Sequence, residues 1–428
     1  MSNLILFITF VSLFKLMEIK KISDEDKIYN LLVLKDTKNK YHVVLSTQAG
    51  IKSLNINGEL EWYKPGSFCP LRYELADHYQ LENILGFKKY DKFYRIYIIS
   101  LNDGSIVDST ELNLKELPQG IQYVIVSGKY FIIEAWYEGK KIKREHFVLI
   151  YKNKKIKIRK IEFSPVPLYG TVIDGLPILN CSTPLNLAQS QSGLSDYYPG
   201  VVIISPKTRK IMTRYVFPLP GYYNSRFYKH PEKNAILFPL SPSQFTYWLD
   251  FTYVIILKIP ELKEIKKIPF DFKSITSNWI KLDTEYVFIL TSFKQNELYV
   301  INDKLKIIKK MKYGDKAILK TSKKFRTTRW VKILEGDINH DKKKDVIIID
   351  FSSRMSYDPK SGVLLDREGY KDISGTFYIF LNPFKSQPIK VKEFKGILPS
   401  FLYYIEENNL FFVGKYDEIK IYKLKWEV

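Results

Sequence analysis

The chain has 428 residues, 45% of them apolar and 15% aromatic, enough for a sizeable core and too apolar for a disordered protein. Its formal net charge is +21, from 67 Lys and Arg against 46 Asp and Glu, a balance that suits anionic partners such as nucleic acid, lipid or acidic polysaccharide. Only two cysteines, Cys69 and Cys181, and five dispersed histidines occur; no spacing suggests a zinc site, and at most one disulfide is open to the chain.

Leu4 to Phe14 reads LILFITFVSLF, too short to span a bilayer and about as long as the apolar region of a secretory leader. No Lys or Arg precedes it and no small-residue cleavage site follows. It is read as a separate segment, 1–14, with export to the cell envelope slightly favoured over a first strand of the fold. The remainder, 15–428, is read as one domain.

A pair of strand-like runs joined by a tight polar turn recurs along that domain. Ile51 to Ile56 meets Asn57-Gly58 and returns over Glu59 to Tyr63, and Asn-Gly between apolar runs predicts a type I′ hairpin. Tyr94–Leu101 turns at Asp103-Gly104 into Ser105–Ser109. Phe147–Tyr151 pairs in the same way with Lys155–Ile161, Val201–Ser205 with Lys210–Val216, and Tyr253–Ile259 with Glu264–Ile268. Leu298–Ile301 then pairs with Lys306–Lys310, and Phe377–Leu381 with Ile389–Phe394. Most of these hairpins are about 42 to 53 residues apart, a spacing that predicts the four-stranded blades of a β-propeller. No run keeps a 3.6-residue apolar period for more than a turn or two, which excludes α/β classes.

The last unit is short by one strand. Phe401–Ile405, Leu410–Val413 and Glu418–Leu424 supply three, and a fourth from Leu13–Lys21 would close the ring and bury an edge. The expected fold is all-β, a propeller of eight blades, or of seven if weak units such as 163–220 and 221–270 are miscounted. Three insertions interrupt the pattern: Pro65–Leu85, Leu185–Pro199 and Ser352–Gly375. Loops on a rigid scaffold carry binding residues, which nominates Tyr197, Tyr198, Tyr222 and Tyr223 as a contact surface.

One string has recognisable chemistry. In Gly336-Asp337-Ile338-Asn339-His340-Asp341-Lys342-Lys343-Lys344-Asp345, oxygen side chains fall at alternate positions of a short loop, as a hard cation such as Ca²⁺ requires. GDINHDKKKDVIII resembles the calcium loop of FG-GAP/VCBS repeats in integrin-α-like propellers. That resemblance implies Asp337, Asn339, Asp341 and Asp345 as ligands, with the Lys343 carbonyl as a fifth, and one structural Ca²⁺. It departs from the family at Lys342, where a glycine is usual, and in its three consecutive lysines. The hairpin Asn57–Trp62 is more weakly similar to those of pyrroloquinoline-quinone-type propeller repeats.

No Gly-x-Ser-x-Gly, His-Glu-x-x-His or phosphate loop is present. The expected function is therefore a non-catalytic binding or scaffolding propeller with a protein or glycan partner. A polysaccharide-active enzyme using the central channel and a basic module for nucleic acid or another polyanion are the two alternatives.

Overall fold

The computed structural model describes residues 14–23, 27–71, 81–114, 116–127, 130–137, 143–153, 155–161, 166–182, 200–205, 207–208, 210–217, 227–230, 233–241, 251–272, 274–282, 285–292, 296–314, 325–356, 370–381, 387–395, 401–414 and 418–426. It is an eight-bladed β-propeller. Chain order gives β1 (Phe14–Ser23) and then blade one, β2 (Ile28–Lys35), β3 (Tyr41–Thr47), β4 (Gly50–Leu54) and β5 (Leu60–Pro65). Blade two is β6 (Asn83–Lys89), β7 (Phe93–Ser100) and β8 (Ile106–Asn113), and blade three is β9 (Gly120–Ser127), β10 (Tyr130–Tyr137), β11 (Lys143–Lys152) and β12 (Lys155–Ile161). Blade four comprises β13 (Val166–Ile173), β14 (Leu176–Ser182), β15 (Gly200–Ile204) and β16 (Ile211–Val216); blade five, β17 (Tyr228–Lys229), β18 (Ala235–Leu240), β19 (Thr252–Lys258) and β20 (Lys263–Phe270). Blade six is β21 (Ser274–Leu282), β22 (Glu285–Ser292), β23 (Glu297–Asn302) and β24 (Ile307–Lys312). Blade seven is β25 (Phe325–Gly336), β26 (Asp345–Ser356), β27 (Tyr370–Phe380) and β28 (Ile389–Lys395), and blade eight opens with β29 (Phe401–Ile405), β30 (Leu410–Gly414) and β31 (Glu418–Trp426).

Every pairing within these sheets is antiparallel, and blade eight is completed by the other end of the chain, in the order β1-β31-β30-β29. The register runs from Phe14 opposite Trp426 to Ser23 opposite Glu418, with one irregularity between Glu18 and Lys20. Leu16 and Leu424 face each other in this pairing and are both buried. β1 therefore supplies an outermost strand that the C-terminal part lacks, as the sequence pattern predicts.

First strands of neighbouring blades touch, as β9 does β13, β21 does β25 and β29 does β2, which sets them around the axis. Strands in the second and third places are near-continuous apolar runs, such as Ile84, Leu85 and Phe87 in β6 or Val254, Ile255 and Ile256 in β19, buried on both faces. That is what a strand flanked by sheets on either side requires. Fourth strands alternate exposed and half-buried positions and are rich in Lys, as in KIKIRKI of β12 and IIKKMK of β24. Each fourth strand has an open edge, and lysine there opposes pairing with another molecule.

The flanks of the expected insertion Pro65–Leu85 belong to the fold of blade two, and 72–80 lies outside the described residues. The innermost place of that blade is taken by Ser67–Leu71, which makes an isolated bridge between Phe68 and Phe87, with N–H···O distances of 2.9 and 2.8 Å in the two directions. The same stretch reaches blade three, where Tyr123 N–H donates to Pro70 O at 3.1 Å. In blade seven the expected insertion Ser352–Gly375 is strand at both flanks, and 357–369 lies outside the described residues. Ser352–Ser356 and Tyr370–Gly375 continue β26 and β27, with one register irregularity between Ser352 and Arg354, and are paired as far as Met355 opposite Tyr370.

The Asn57-Gly58 hairpin exists, but with different geometry. Only Gly58 has positive φ, at 75°, and its N–H donates to Asn55 O, with an irregular register between Ser53 and Leu54. This is a wider turn with a glycine bulge rather than type I′, because Asn55 Oδ1 accepts the N–H groups of Asn57 and Glu59 and holds the loop open. Gly104 answers a packing need as well as a turn. It has φ of 67°, and a Cβ there would lie 2.7 Å from the Trp62 ring, whose Nε1 donates to Leu101 O at 2.9 Å across the seam between blades one and two.

Candidate functional site

Antiparallel order sorts the connections to the two ends of the disc. Links from first to second and from third to fourth strands share one end, the turn end, where compact turns such as 36–40, 101–105, 259–262 and 406–409 are found. Links from second to third strands and from each blade to the next share the other, the loop end. The longer stretches between strands join strand ends there: 183–199, 218–226, 242–250, 315–324 and 357–369. Tyr197 and Tyr198 belong to the first and Tyr222 and Tyr223 to the second. All four lie outside the described residues, but the strand ends flanking them, β14 to β15 and β16 to β17, belong to adjacent blades at the same end.

Beneath the loop end lie two buried charged clusters that no sequence pattern announces. Between blades three and four, the Glu134 carboxylate is fully buried, ion-paired with Arg144 and accepting from Gln122 Nε2 at 2.9 Å. His146 Nε2 stands 3.9 Å from its Oε2. Between blades six and seven, the Arg329 guanidinium is 1% exposed. Its Nε donates to both Asp350 oxygens at 2.9 and 3.1 Å, Nη1 to Ser292 O at 3.1 Å, and Nη2 to Asn296 Oδ1 at 2.6 Å and Tyr313 Oη at 3.0 Å. Burial alone would lower the Arg329 pKa, but Asp350 outweighs it and holds the group above its ordinary value. Ser292 and Asn296 flank the β22–β23 connection, so this arginine pins the foot of a loop to the next blade.

The turn end has a third such cluster. His42 is fully buried, with Nδ1 2.7 Å from Glu61 Oε2 and Nε2 3.4 Å from Asp36 Oδ2. Burial pushes both carboxyls up, yet hydrogen bonds from Lys40 and His42 outweigh it and leave each below the usual range. Asp36 also accepts the N–H groups of Lys38 and Lys40 and so closes the turn. His42 serves here as a packed strand histidine.

The acidic loop of blade seven is on this end too, between β25 and β26. Lys342 N–H donates to Asp337 Oδ2 at 2.9 Å, Lys343 N–H to Asp341 Oδ1 at 2.9 Å and Ile338 N–H to Asp345 Oδ2 at 3.0 Å. Asn339 and Asp341 are hydrogen-bonded to each other. The loop turns through positive φ at His340 and Lys342, 61° and 67°, so lysine occupies the position where glycine would relieve strain. Asp337 Oδ1 is buried without a hydrogen-bond partner. Among the described residues no three His, Cys, Asp or Glu side chains converge as a metal-holding group; with their present hydrogen bonds, the carboxylates cap their own loop. Glu406 braces it from blade eight, accepting from Asp337 N–H and from Lys344 Nζ.

The two cysteines are free and buried in different blades. Burial raises the Cys69 thiol to about 11 and lifts Cys181 well above its ordinary value, so neither is a ready nucleophile.

No family model and no curated protein sequence matches the chain. Among solved structures it is similar to the Dos1 propeller, with TM-score 0.52, 9% identity and 95% of each chain covered. It also aligns with the dihydro-heme d1 dehydrogenase NirN in complex with DHE, at TM-score 0.47 and 10% identity over 86% of this chain and 68% of that one. A third alignment is with KlHsv2 carrying a Gly-Ser linker in place of loop 6CD, at TM-score 0.40 and 12% identity over 78% and 96%. The first likeness shows the fold. The resemblance to FG-GAP/VCBS loops rests on Gly336–Ile348 alone.

Proposed function

We propose that this propeller is a binding or scaffolding protein that presents its loop end to a protein or glycan, at the cell envelope. The observation that carries the reading is the segregation of the longer connections to one end of a disc whose other end is built mainly of tight turns. Buried Arg329 and Glu134 stiffen the platform under those connections, and a rigid platform lowers the ordering cost of binding. The envelope assignment rests on Leu4–Phe14. A photo-crosslinking side chain placed in turn at Tyr197, Tyr198, Tyr222 and Tyr223 is expected to capture a partner in native extract, and one at Asn57 or Asp303, on the turn end, is not. Crosslinking that is equal from both ends, or stronger from the turn end, contradicts the proposal.

A structural Ca²⁺ in the blade-seven loop is part of the same proposal and is supported by the orphaned Asp337 Oδ1 in a loop that also carries Asn339 and Asp341. Asp345 and the Lys343 carbonyl would complete the donors, and the ion would stiffen a turn with no part in chemistry. Calcium should then raise the melting temperature by about 2–5 °C, with chelator reversing the shift and D337A or D341A removing it. A melt indifferent to calcium and chelator ends this part of the proposal.

A further inference from the structure

The fourth strands carry a feature that edge protection does not explain. Lysines on an open edge discourage pairing, but exposed aliphatics do the opposite. On blades four to six, Ile211, Met212, Ile265, Ile307 and Ile308 are between 39% and 52% exposed. All lie near the start of their strands, beside the turns from third to fourth strand, and hence at the turn-end corner of the rim. Lysines share that corner: Lys207 and Lys210 on blade four, Lys263 and Lys266 on blade five, Lys304 and Lys306 on blade six.

The corner is continuous from blade to blade. Arg159 of blade three donates to Thr208 O of blade four at 3.1 Å, and Thr213 Oγ1 of blade four donates to Glu261 O of blade five at 3.3 Å. Lys266 of blade five in turn reaches Lys304 O of blade six at 2.6 Å. On blade two the same place has exposed Ile106 and Val107 but acidic neighbours, Asp103, Asp108 and Glu111. The arc of blades four to six has acidic residues of its own, Glu261, Glu264 and Asp303, but there the six lysines outnumber them beside the aliphatics.

We propose that the arc of blades four to six, flanked by the basic edge of blade three, docks on the surface of an anionic lipid bilayer. Interleaved Lys and aliphatic side chains on one exposed surface match the two layers of such an interface, with ammonium groups at the headgroups and Ile and Met at the acyl boundary. The exposed apolar residues of this arc are aliphatic, whereas a nucleic-acid surface calls for aromatic stacking platforms between its basic residues. Among the described residues no helix is long and apolar enough to cross a membrane. Docking at the turn-end corner leaves the loop end clear of the lipid.

The test is co-sedimentation of the full chain with phosphatidylcholine vesicles, alone or with about 30% phosphatidylserine. The expected result is binding only to the anionic vesicles. I307S/I308S, on exposed positions, should weaken it about tenfold with an unchanged melt, and K263E/K304E/K306E should abolish it. Absence of binding to the anionic vesicles overturns the proposal. So does binding that the charge reversals remove but the serine variant leaves intact, especially if single-stranded RNA competes for it, because that pattern marks a general polyanion surface.

Discussion

D350A is expected to cost about 3–5 kcal/mol of folding stability. The reason is what remains. Arg329 is 1% exposed, cannot shed its proton, and after the change would hold a buried charge without the Asp350 carboxylate that pairs with it. Ser292 O, Asn296 Oδ1 and Tyr313 Oη would still accept from it, but none carries a countercharge. Burial, with the charge of Asp350 adding to it, raises the Tyr313 hydroxyl well above its ordinary value, so Tyr313 is no substitute anion. R329M/D350L should recover most of the loss, since replacing both members removes the desolvation cost along with the attraction. Chemical denaturation of the two single variants and the double variant measures the coupling. A D350A loss below about 1 kcal/mol would mean that water reaches the pair.

Removal of residues 1–23 should be still more damaging, because it acts on the ring rather than on one seam. Without β1, the edge of β31 from Glu418 to Trp426 loses its partner along the whole register. The Leu424 side chain loses Leu16, and the ion pair of Lys21 with Glu418 disappears. A propeller blade cannot bury its faces alone, and blade eight without β1 is a three-stranded sheet with less surface to pack on its neighbours. The truncated chain is expected to melt at least about 10 °C lower or over a broadened transition, and to associate through the freed edge. A truncated chain that is monomeric and melts like the intact one would show that β1 is dispensable.

Much of this architecture is legible in the sequence because the third and fourth strands of blades one to seven are adjacent in the chain and punctuated by Asn, Asp, Gly or Pro. Tyr253–Ile259 followed by Glu264–Ile268, for instance, becomes β19 and β20. The terminal strand is legible for a different reason, the shortage of one strand after Glu418–Leu424. Ser67–Leu71 leaves no such trace, because a single bridge through Phe68 needs no alternation, and Gly66 and Pro70 have the character of loop residues. Ser352–Ser356 resembles a break because its polar residues look solvated. In the fold they extend a ladder whose hydrogen bonds are satisfied by Tyr370–Ser374.

The buried clusters are out of reach of sequence for one shared reason. Glu61 is 19 residues from His42, and Asp350 is 21 from Arg329, and each pair meets only when the strands of its blade fold together. The acidic loop at Asp337–Asp345 is visible because all its groups are local, and its turn is where the pattern places it. Local chemistry can be read from the chain, whereas chemistry assembled between strands cannot.

Closure of the ring by its two ends can be tested by one covalent trap. Leu16 and Leu424 are opposite each other in the β1–β31 register, at a separation that a disulfide spans. Cys69 and Cys181 are buried, and their raised thiol pKa values keep them from competing. Under mild oxidation of the native protein, L16C/L424C should form an intramolecular disulfide in nearly every molecule, read as a linked peptide by mass spectrometry. Both introduced thiols remaining alkylatable in the folded protein, or linking only between molecules, would show that the N-terminal strand does not pair with β31.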